Sequence, residues 1–232
     1  MVSDNLSALY EKLPSGVKLV AVSKFHPLER LMEAYDAGQR LFGENRPQEL
    51  AAKVPQMPSD VEWHFIGHLQ TNKLKLVLPY VSMVQSVDSF HLLEAIDKWG
   101  KDHGKKVDVL LELHLGAEET KQGFNEEEIL SIFEAGEGIH PETVASRPLP
   151  PLENVRIRGL MGMATNTEDE GVIEADFARL EALFKRIREE HPELRDSFTE
   201  LSIGMSGDWP IAVRHGATMV RIGTDIFGAR EY

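Results

Sequence analysis

The chain has 232 residues, 42% of them hydrophobic, which is enough to bury a full core and falls in the length range of one α/β barrel. Its 25 Lys and Arg stand against 38 Asp and Glu, and the resulting formal charge of -13 argues against a general attraction to nucleic acid or anionic lipid. Cysteine is absent, which removes disulfides and thiolate metal sites. The opening "MVSDNLSALYEKL" has no basic segment leading into a long apolar core, and no later run approaches the roughly 20 apolar residues of a membrane span. The expectation is a soluble, cytoplasmic protein with a single domain over residues 1–232.

Short apolar runs then alternate with amphipathic stretches. The first strand, "VKLVAVS", stops against Lys24, and "LERLMEAYDAG" follows as a helix with Gly38 at its end. A lysine there is either a solvated cap or, if half-buried among apolar neighbours, an amine with a lowered pKa that can attack an aldehyde and form a Schiff base. "RLFGE" and "WHFIGH" give the second and third strands. His64 and His68 are four apart, but Gly67 interrupts the strand between them and no acidic or cysteine ligand is adjacent, so they read as pocket-lining or loop-holding residues and zinc is not expected. "MVQSV" precedes the helix "SFHLLEAIDKWG", read as ending at Gly100. "VDVLLELHL" is the fifth strand, with His114 a pocket-wall or core residue. Prolines gather over residues 136–155, which read as an irregular surface excursion and not a domain linker. "IRGLMGM", the periodic helix "EADFARLEALFKRIREEH", "LSIGM" and "MVRIG" complete eight strands. Strand then helix, repeated, predicts parallel strands with right-handed crossovers, hence a (β/α)8 barrel of the TIM type; an open doubly wound sheet is the competing fold.

In such a barrel the C-terminal strand ends converge on one mouth. "GMSGDW" and "RIGTDIFG", after the seventh and eighth strands, offer the Ser206 and Thr224 hydroxyls and backbone N–H groups at Gly207, Gly223 and Thr224, a place where barrels bind phosphate. The alternative is that these glycines serve turn geometry alone. Arg221 has the parity to point inward, toward an aromatic nitrogen, a carboxylate or an internal ion-pair partner.

The motifs "VAVSK", "FGENRPQE", "WHFIGHLQTNK", "GLMGMAT", "LSIGMSGD" and "MVRIGTDIFG" resemble, in order and across nearly the whole chain, the pyridoxal phosphate homeostasis protein family, whose barrel is that of the alanine racemase N-terminal domain. The resemblance implies that Lys24 carries pyridoxal 5'-phosphate as a Schiff base and that Ser206, Gly207, Gly223 and Thr224 lie at its phosphate. It also implies that Arg221 faces the pyridine nitrogen, weakening the ring as an electron sink, and that Asn45 and Met163 line the pocket. The implied function is reversible cofactor capture, buffering and delivery to vitamin B6-dependent apoenzymes, with little or no catalysis, in a monomer. Departures from the racemases agree: "KFHPLER" lacks their tyrosine after the lysine, and the two-base machinery of racemisation is missing. A pyridoxal-phosphate-dependent racemase or lyase, with His26 or His68 as the second acid or base, is the alternative; a phosphosugar-binding barrel enzyme is a third.

Overall fold

Eight parallel strands close into a barrel in chain order: β1 Lys18–Val22, β2 Leu41–Glu44, β3 Glu62–Phe65, β4 Met83–Val87, β5 Val107–Leu113, β6 Val155–Gly162, β7 Glu200–Ser202 and β8 Met219–Ile222. The structure, a computed structural model, describes residues 1–115, 122–134 and 151–228. β8 returns to pair with β1, Lys18 opposite Met219 and Ala21 opposite Ile222, which closes the sheet and excludes the open doubly wound alternative. The (β/α)8 barrel expected from the sequence is the fold observed.

The helices are α1 Val2–Lys12, α2 Leu28–Asp36, α3 Pro47–Lys53, α4 Leu74–Val77, α5 Phe90–His103, α6 Glu126–Glu134, α7 Glu170–Glu190, α8 Trp209–Arg214 and α9 Thr224–Phe227. Their apolar stripes cover the outside of the barrel. In α7 the buried positions Ile173, Phe177, Leu180, Leu183 and Ile187 repeat every three or four residues, which puts one face against the sheet. Inside the barrel, Val20, Met83, Leu110, Met161 and Met219 form a separate buried layer. Strands covered on both sides in this way have little reason to alternate polar and apolar residues, so they appear in the sequence as continuous apolar runs.

One helix end differs from expectation. α5 runs through Gly100 to His103 and is capped by Gly104 in the left-handed conformation, φ 61°. Gly100 is needed for another reason: a Cβ there would lie 2.6 Å from the Lys105 carbonyl oxygen and 2.8 Å from Asn154 Cβ, inside the approach of α5 to the segment entering β6. Of the proline-rich stretch 136–155, residues 136–150 lie outside the described residues, 151–154 are exposed or half-buried, and Val155 already belongs to β6.

Candidate functional site

β1 stops at Val22, and Lys24 sits in the turn just beyond, at the C-terminal mouth of the barrel. The next residue, Phe25, has φ 68°, a conformation that residues other than glycine seldom adopt. Such strain persists only where the surroundings hold it. Here the Phe25 backbone N–H donates to Glu49 Oε1 at 2.8 Å, and the Arg46 guanidinium lies 4.2 Å from the Phe25 ring centroid. Glu49 is tied in turn by Lys53 Nζ, which also donates to Glu44 Oε1 at 2.7 Å and to the Ser23 carbonyl at 2.8 Å. Burial pushes the Glu44 carboxyl up, against the pull of Lys53. The turn that carries Lys24 is thereby clamped to β2 and α3.

Lys24 opens onto a cavity of about 250 Å³, whose wall also holds Asn45, Met163, Ser206, Gly207, Arg221, Gly223 and Thr224. All eight site residues named from the sequence therefore meet at one place. His26 joins them, its ring centroid 4.8 Å from that of Phe227. At one end of the cavity the backbone N–H groups of Ser206, Gly207, Gly223 and Thr224 have no protein acceptor among the described residues, and two hydroxyls stand with them. That is donor chemistry suited to an anion. Gly207 has nothing within 4 Å of where a Cβ would be, so the protein itself does not require glycine there. Asn45, also in the cavity wall, has its Oδ1 buried without a hydrogen-bond partner among the described residues. Gly67 approaches so closely that a Cβ on it would come within 2.4 Å of the Asn45 carbonyl oxygen.

Arg221 points inward, as its parity predicts, and is 5% exposed. Its NH1 donates to the Ser202 carbonyl and to Ser202 Oγ, each at 2.7 Å, and its NH2 to the Gly162 carbonyl at 3.0 Å. No ion pair holds it among the described residues. Burial lowers its guanidinium to about 10, partly offset by the negative charge of Glu112 and Asp208, so it stays charged at neutral pH. Behind it runs a buried chain of donors: Ser202 Oγ gives its proton to Gln85 Oε1 at 2.7 Å, and Gln85 Nε2 donates to His64 Nδ1 at 2.7 Å. His64 Nε2 faces Glu62 Oε1 at 3.4 Å, and that contact holds the Glu62 carboxyl down at about 2. His64 is thus an interior strut and lines neither cavity at the mouth. His68 and His114 do line a neighbouring cavity, His68 Nδ1 pairing with Asp88 Oδ2 at 2.8 Å. Among the described residues no group of three or more acidic or histidine side chains is arranged to hold a metal, and no helix is long and apolar enough to cross a membrane.

The sequence reading missed Ser202 and Gln85, which orient Arg221, and the Ser23, Glu44, Glu49 and Lys53 clamp. It also missed Glu112 on β5. Polar residues inside otherwise apolar strands were the available signal for Ser202, Gln85 and Glu112.

A closed eight-stranded barrel with a lysine, an inward guanidinium and an anion cradle at one mouth is a (β/α)8 protein suited to a small anionic ligand. Comparison with known proteins narrows this. The family model described as "Alanine racemase, N-terminal domain" matches residues 1–231. A pyridoxal phosphate homeostasis protein of Pasteurella multocida is 35% identical, over 94% of this chain and 88% of its own. PipY of Synechococcus elongatus, solved with PLP bound, is 35% identical at a TM-score of 0.84, covering 98% of this chain and 100% of that one. Alanine racemase of Clostridium difficile shares the fold at a TM-score of 0.70 and 15% identity, with 56% of its length covered. The chain belongs to the alanine racemase N-terminal domain family and, within it, to the pyridoxal phosphate homeostasis proteins.

Proposed function

We propose that this chain, acting as a single-domain monomer, holds pyridoxal 5'-phosphate through a Schiff base on Lys24 and buffers it or delivers it to vitamin B6-dependent apoenzymes, with little or no turnover of its own. The observation that carries this reading is the cavity itself: it brings Lys24, four backbone N–H donors without an acceptor among the described residues and the Arg221 guanidinium around one small volume. The PLP-bound PipY neighbour supports the choice of ligand. Bound there, pyridoxal phosphate supplies an electrophilic aldehyde and a ring whose electron-withdrawing power depends on protonation of its nitrogen.

The chain's own residues do the rest. Ser206, Gly207, Gly223 and Thr224 would hold the phosphate through N–H and hydroxyl donors. Arg221, fixed by Ser202 and Gly162, keeps a positive charge at the cavity wall and would oppose protonation of a ring nitrogen placed near it. Asn45 offers its unpartnered buried oxygen to a donor on the ligand. The Phe25 turn, held by Glu49, fixes the backbone that carries Lys24 at the cavity wall. This arrangement favours holding the cofactor over driving carbanion chemistry.

Protein equilibrated with pyridoxal phosphate and then desalted is expected to retain a visible absorption band, and Lys24→Ala to lose it. L-alanine is expected to keep its configuration in the presence of the loaded protein. A colourless wild type, or a band undiminished in Lys24→Ala, contradicts the binding mode; racemised alanine contradicts the holding role.

A further inference from the structure

A second cavity, of about 290 Å³, lies beside the first. The two share Lys24, Asn45, Ile66 and Met163, so both open onto the same amine. The remaining wall differs in chemistry, being formed in part by Glu112, His68 and His114. Glu112 is 8% exposed, and its carboxylate takes part in no hydrogen bond and no ion pair among the described residues. His114 Nδ1 is buried and equally without a hydrogen-bond partner among them. Asp88, held against His68, adds negative charge close by. Two cations stand near: Arg221 directs its NH1 and NH2 at Ser202 and the Gly162 carbonyl and so does not satisfy Glu112, and Lys24 lines the same cavity.

A largely buried carboxylate that faces a cavity and meets no donor among the described residues is stabilised when a cationic N–H donor enters that cavity. Since no group of three candidate metal ligands exists among the described residues, an organic cation suits the cavity better than a metal ion. We propose that the Glu112 cavity receives the ammonium group of a primary amine and sets it beside Lys24. The ammonium gives one proton to the Glu112 carboxylate, leaving a neutral amine and a carboxylic acid. Burial brings that carboxyl up to about 7, further raised by Asp88 and lowered by Arg221, so the exchange is accessible near neutral pH. Resting on the reading of Lys24 given above, the proposal makes this cavity the place where an incoming amine competes with Lys24 for the same aldehyde. The α-amine of a free amino acid and the ε-amine of a protein lysine share this chemistry.

The test uses cofactor-free protein and calorimetric titration at pH 7.5. L-alanine is compared with L-lactate, and Nα-acetyl-L-lysine amide with Nα-acetyl-L-norleucine amide, each pair differing in the amine. Wild type is expected to bind at least one amine saturably and to ignore its partner lacking the amine; the pair that responds identifies the source. Glu112→Gln is expected to bind about tenfold more weakly or less, while melting no lower than wild type and still forming the visible band with pyridoxal phosphate. Equal affinity of wild type for an amine and its analogue, equal affinity of wild type and Glu112→Gln, or no saturable binding of any amine overturns the proposal. Because the titration needs no cofactor, a failure of Lys24 to take up pyridoxal phosphate appears separately, as a missing band with amine binding intact.

Discussion

Glu112 sets protonation against packing. Its folded carboxyl titrates at about 7, chiefly because burial disfavours the charge, whereas an unfolded chain releases that proton near 4.5. The folded protein therefore holds the proton over a range in which the unfolded chain has lost it, and stability attributable to this group falls as pH rises from about 4.5 to 7. Glu112→Gln, which keeps the shape of the neutral acid, removes that loss. In denaturant melts the variant is expected to match wild type at pH 4 and to exceed it by up to about 3 kcal/mol at pH 8. An equal gap at both values would mean that Glu112 does not titrate as its surroundings require. Arg221 is handled in the opposite way: it keeps its charge in the interior because Ser202 and Gly162 supply three oxygen acceptors.

The loops after β1, β2 and β3 act together. Lys53 on α3 ties Ser23, Glu44 and Glu49, and Glu49 holds the strained Phe25 turn, so the end of β1 is set by partners 20 to 30 residues away. Gly67, after β3, leaves room for Asn45 after β2. Gly67→Ala forces a 2.4 Å contact on the Asn45 backbone; such overpacking costs about 1–3 kcal/mol of stability and is expected to weaken pyridoxal phosphate binding about tenfold by moving the Asn45 wall. Equilibrium titration with the cofactor checks this, and unchanged affinity would remove Asn45 from the site. The eight strands were legible because each is an apolar run between helical periods, and Lys24, Ser206, Gly223 and Thr224 because each follows a strand end. The clamp was not legible, since hydrogen bonds between loops leave no periodic signal. Gly100 was misread for a related reason: a glycine near a helix end suggests a cap, while its close approach to residues 105 and 154 depends on tertiary packing.

Closure of the barrel gives these local devices their common address. Because β1 and β8 pair, Lys24 at one end of the sequence meets Gly223 and Thr224 at the other, and Arg221 enters the same cavity from below. The apolar layer of Val20, Met83, Leu110, Met161 and Met219 fills the barrel lower down, leaving the mouth as the place for polar chemistry. With an excess of 13 negative charges over the whole chain, the proposed holding of an anionic cofactor rests on local N–H donors and not on a general field. Borohydride reduction of the protein loaded with pyridoxal phosphate, followed by peptide mapping, bears on all of this at once. A pyridoxyl group on Lys24, in the peptide containing "VSKF", is the expected result. Modification of a different lysine, or no modification after full loading, contradicts the account.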